Sequence, residues 1–139
     1  MSEVKERIDL CMTMTKYEKL LSEYEEEIRI EEHEMINEGL YCDNTIWINK
    51  SLPENKKICI LAEEIAHHKT SYGDILNQKN IINKKQELTA RRYAHKMLIP
   101  IENILDALKN GYREVYEIAE YLNLDEMFVR ECLKEYGWL

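Results

Sequence analysis

Glu63, Glu64 and His67 sit in one segment, ENKKICILAEEIAHH, and their types and spacing could do chemistry. If the segment is helical, Glu63 and His67, four residues apart, stand one above the other on a single face, close enough to share one metal ion. Glu64 lies beside them. In the H-E-x-x-H arrangement two helix residues hold zinc and the glutamate between them carries a proton from the attacking water. Here Glu63 takes the first histidine's place. An E-E-x-x-H spacing is also what an ordinary solvated acidic face with a nearby histidine would show, so the surrounding elements must decide.

Those elements read as follows. Lys16 to about Glu27 carries Tyr17, Leu20, Leu21 and Tyr24 at helical spacing with no breaker, which predicts an amphipathic helix. IRIEEHEMI then turns toward alternation, Asn37-Glu38-Gly39 supplies a turn, and LYCDNTIWINKSL reads as two short strands joined at Asp43-Asn44. A small antiparallel or mixed sheet follows. Pro53 suits a first helical turn, and in the helix after it Ile58, Leu61, Ala62 and Ile65 can face a core. The polar stretch KTSYGDILNQKNIINKK, with Gly73, reads as a loop long enough to signal function.

Helical spacing resumes from Gln86 to Leu98 through Leu88, Ala90, Tyr93, Ala94, Met97 and Leu98, and Pro100 ends it. Three short helical patterns come next, IENILDALKNG, EVYEIAEYLN and DEMFVRECLKEYG, with Gly111 and Gly137 as stops and Asp125 as an N-cap. The last two outline a helix-turn-helix. Their outer positions carry Glu117, Glu120, Asp125, Glu126, Glu131 and Glu135, a surface that repels DNA, so the pair is read as packing or partner-binding structure. The expected fold is α+β: a small three-stranded sheet packed on the Glu63–His67 helix, with further helices forming an all-α C-terminal part.

With 139 residues, 45% of them apolar, the chain can bury one core but not two of ordinary size, which predicts a single domain over residues 1–139. The first residues lack the apolar run and cleavage site of a secretory signal, and no window could span a bilayer, so a cytoplasmic location is expected, without membrane partners. Cys11, Cys42, Cys59 and Cys132 are scattered, with no C-x-x-C pair, and read as small apolar residues. A formal charge of −8, from 27 acidic and 19 basic side chains, argues against direct nucleic-acid binding and suits a basic protein partner as well as plain solubility.

Two blocks carry a resemblance to the ImmA/IrrE metallo-endopeptidases, regulators commonly encoded by phages and other mobile elements. GLYCDNTIWINKSLPENKKICILAEEIAHH is similar to that family's glycine, short strand, isoleucine-x-isoleucine-asparagine and leucine-alanine-histidine-glutamate-x-x-histidine helix. QELTARRYAHKMLIP is similar to its E-x-x-A-N-x-F-A-x-x-L-L-M-P, with Glu87, Ala90, Tyr93, Ala94, Met97, Leu98 and Pro100 at matching offsets. The resemblance implies a zincin-like active-site helix, a metallopeptidase-like core over residues 16–100 and a helical extension over 101–139. It assigns His67 and Glu87 as metal ligands, Glu64 as general base and Glu63 to the first ligand position.

Two departures stand out: Arg91 where the family often has asparagine, which changes a contact beside the site without removing the metal, and Glu63 for histidine. A carboxylate can bind zinc at much the same distance as imidazole. Two carboxylates with one imidazole bring an extra negative charge, which acidifies the attacking water less and broadens the choice from Zn2+ toward Mn2+, Fe2+ or Mg2+. Slower hydrolysis and weaker zinc selectivity are expected. His68 lies one residue round the helix and would reach a metal only if the helix end unwound; a partly exposed structural role fits it better. Tyr72 and Asp74, in the loop, are weak candidates to touch substrate or orient a ligand, equally readable as part of a turn. His33 and His95 read as structural or solvated, and Trp47, Tyr93 and Phe128 as core. Trp138 covers the last helix or contacts a partner.

The resemblance thus implies a metal-dependent endopeptidase acting on a helix-turn-helix repressor of the same mobile element. A noncatalytic binding module that lost hydrolysis at Glu63 and controls a repressor by association is the alternative, and membership of a toxin-antitoxin pair is a third.

Overall fold

The computed structural model describes residues 14–70 and 80–139, with side chains of residues 80–83 left aside. Helix α1, Lys16–Tyr24, starts at Thr15, whose hydroxyl accepts from the Glu18 amide and donates to Glu54 Oε1 at 2.8 Å, tying the first helix to the start of the next. Strands β1 (Arg29–His33), β2 (Gly39–Cys42) and β3 (Thr45–Asn49) form a mixed sheet in the order β1-β3-β2. β1 runs parallel to β3 and β2 antiparallel to it. The hairpin turns on Asp43 and Asn44, both with positive φ near 55°, the two-residue geometry whose twist matches that of the strands.

Alternation along β3 buries Ile46 and Ile48 completely on one face. That face meets helix α2, Glu54–Thr70, which supplies Ile58, Leu61, Ala62 and Ile65 to the core and packs along helix α3, Asn80–Leu98. Trp47, expected in the core, lies on the opposite face and is only partly buried, its ring 4.8 Å from that of His33. The period of two that buries Ile46 and Ile48 necessarily turns Trp47 away. Tyr93 and Leu88 are likewise exposed, because α3 buries its Ala90 and Ala94 stripe instead.

The polar stretch after α2 is more helical than its composition suggested. α2 continues through Thr70 and α3 already begins at Asn80, where NIINKKQEL holds no breaker and is rich in helix-tolerant Lys, Gln and Glu. Beyond Pro100 come α4 (Ile101–Lys109), α5 (Val115–Leu122) and α6 (Glu126–Glu135). Gly111 and Gly137 take positive φ at the ends of α4 and α6, and Asp125 caps α6 by accepting from the Phe128 amide. α6 buries Phe128, Val129, Cys132 and Leu133, and His95 of α3, 1% exposed, pairs with Glu135 of α6 at 2.5 Å. Cys59 is buried as well, whereas Cys42 is exposed; Cys11 is outside the described residues. No helix among the described residues is long and apolar enough to cross a membrane.

Candidate metal centre

Helix α2 has an apolar face that must lie on the sheet and an acidic turn, Glu63-Glu64, that the same rotation carries toward α3 and β2. Glu63, His67 and Glu87 line one small cavity together with Ala90 and Arg91. His67 Nε2 lies 3.7 Å from Glu87 Oε1, so a residue of α2 and one of α3 meet across the gap. Ala90, 2% exposed, lets the two helices approach closely enough for that meeting.

Glu64 is not a wall of this cavity. Its side chain points toward β2, where Gly39 leaves room for it: a Cβ on Gly39 would stand 3.4 Å from Glu64 Cγ and overlap Ile60 Cγ2. Sequence reading took Gly39 for a turn former, and only the packing of strand on helix reveals the second use.

Burial and neighbouring charge raise both acids. Glu63 is pushed up to about 7, mainly by desolvation and then by Glu131, against a lowering pull from Arg91. Glu64 is also pushed up to about 7, by desolvation and by the carboxylates of Glu63 and Glu87. A carboxyl balanced near neutrality can both take and return a proton at physiological pH.

His68 faces elsewhere. Its Nδ1 is hydrogen-bonded to the Tyr41 hydroxyl at 2.9 Å and its Nε2 stands 3.6 Å from Glu27, whose carboxylate also pairs with Lys69. It braces the end of α2 against β2 and the segment after α1. Tyr72 and Asp74 are outside the described residues. Arg91, read from sequence as an altered neighbour of the site, lines the cavity itself; one turn beyond Glu87, it has to share that face of α3.

One imidazole and two carboxylates facing a common cavity are a donor set that suits a divalent cation. Among the described residues, no three such side chains stand close enough, as arranged, to hold an ion. The pair His67 and Glu87 is assembled; Glu63 shares the cavity with them.

A family model described as the IrrE N-terminal-like domain, of peptidase family M78, matches residues 13–134. Neither a curated protein nor a solved structure matches the chain.

Proposed function

The chain belongs to the IrrE N-terminal-like family of metallopeptidases, and on that basis we propose that it is a metal-dependent endopeptidase acting on a protein substrate, a helix-turn-helix repressor of a phage or mobile element. The observation that carries this reading is the approach of His67 to Glu87 from two helices inside the matched region. His67 and Glu87 would hold the ion, with Glu63 as the third protein donor. A divalent cation there, Zn2+ first and Mn2+ or Fe2+ next given the carboxylates, would polarise the scissile carbonyl and acidify water.

The rest of the chemistry belongs to the chain. Glu64, next to Glu63 on α2 and packed against Gly39 of β2, takes the proton of the attacking water and passes it to the leaving amine. Desolvation supports this role, since a carboxylate stripped of water is a stronger base than one on the surface. The test is cleavage: a helix-turn-helix repressor from the same mobile element, incubated with the protein and metal, should be cut by wild type. Glu64→Gln should lose at least about 100-fold in rate while retaining its metal. Equal cutting by both proteins would remove Glu64 from the mechanism.

A second reading, a pseudo-peptidase that binds a repressor or works in a toxin-antitoxin pair, draws on Glu63 and on a cation, Arg91, lining the same cavity. Wild type that binds the repressor without cutting it, with any metal, would favour this reading.

A further inference from the structure

The cavity between α2 and α3 is lined by two carboxylates, Glu63 and Glu87, and by one cationic side chain, Arg91. Arg91 follows Glu87 by four residues on the same helix, so its guanidinium is carried to the cavity's rim by the turn that delivers the ligand candidate. Glu131 of α6 stands 4.0 Å from Arg91 Nε and bears on Glu63 as well. The guanidinium therefore has acids from α2, α3 and α6 around it. Half of its side chain is exposed, so its long stem can turn it from the cavity toward solvent.

We propose that Arg91 is the cavity's built-in counter-cation, offsetting Glu63 and Glu87 when no divalent ion is bound and setting how tightly such an ion binds. The inference rests on the metal-site reading above. Like charges a few ångströms apart repel strongly where solvent is partly excluded, so an ion entering between Glu63, His67 and Glu87 must work against Arg91 or drive it toward solvent. The direction Arg91 exerts on Glu63 agrees, since it favours the ionised carboxylate. Arg91 is thus a positioning and tuning residue, outside the ligand set.

The experiment is calorimetric titration of the metal-free full chain with Zn2+ and separately with Mn2+, for wild type, Arg91→Gln, Arg91→Lys and His67→Ala, each checked for folding by circular dichroism. Arg91→Gln should bind about tenfold more tightly than wild type. Arg91→Lys, which keeps the charge, should match wild type, and His67→Ala should lose binding. Tight binding by Arg91→Gln where wild type binds too weakly to detect supports the proposal as well. If Arg91→Gln binds no better than wild type while His67→Ala loses binding, or if Arg91→Lys gains as much as Arg91→Gln, the proposal is overturned and the metal site stands. If none of the four binds either ion, the metal-site reading falls and the proposal with it.

Discussion

A carboxylate buried away from water, and beside other carboxylates, carries a cost that a proton or a cation can relieve, and at the residue scale this governs Glu63 and Glu64. Both hold their protons more tightly in the folded metal-free chain, near pH 7, than at their ordinary value of 4.5. The folded state consequently gains from them fully below about pH 4.5 and loses that gain as the pH rises through about 7. Glu63→Gln should stabilise metal-free protein by about 1–2 kcal/mol at pH 8 and by progressively less toward pH 5, measured by urea unfolding in the presence of a chelator. A benefit that grows toward pH 5 would contradict the assigned burial. The E-E-x-x-H spacing was legible from the sequence, because four residues on a helix dictate a common face. Arg91 could be read as a neighbour of the site, but that it lines the cavity itself could not, because this depends on how α3 is set against α2, which no periodicity within either helix encodes.

At the element scale, the site hangs on a close approach of strand and helix. Gly39 opens β2 where Ile60 and Glu64 of α2 press against it, so Gly39→Ala must push strand and helix apart. The expected cost is about 1–3 kcal/mol by denaturant unfolding, typical of overpacking, with loss of the proposed peptidase activity beyond what stability explains. A neutral substitution would show that β2 and α2 are less tightly joined. At α6, Asp125→Ala should cost about 1 kcal/mol through the lost N-cap. The three strands, the Asp43-Asn44 turn and the α6 cap could be read from residue types, since alternation, positive-φ tolerance and a capping carboxylate are local signals. Helix α3 beginning at Asn80, and the outward placement of Trp47 and Tyr93, could not. Polar helix surface resembles loop in composition, an aromatic side chain such as Trp47 is at home on either face of a three-stranded sheet, and Tyr93 lies on helix α3 beside the Ala90 and Ala94 stripe that is buried in its place.

Across the whole molecule, buried side chains run without a break from Tyr17 in α1 through the sheet and α2 to Leu133 in α6. The C-terminal helices are stitched to the site-bearing part by His95 with Glu135 and by the Tyr136 hydroxyl, which donates to the Ile99 carbonyl at 2.8 Å. Phe128 closes the joint, its ring 5.0 Å from that of His95. Phe128→Ala should therefore cost about 3–5 kcal/mol and lower one cooperative transition of the entire chain; two separate transitions would mean that α4–α6 form a unit of their own. The central claim is that His67 and Glu87 hold a divalent ion for peptide hydrolysis, and elemental analysis of untagged protein tests it most directly. Near-stoichiometric metal in wild type, absent from both His67→Ala and Glu87→Ala, is the predicted result. Wild type that remains empty after incubation with zinc, manganese and iron would contradict it.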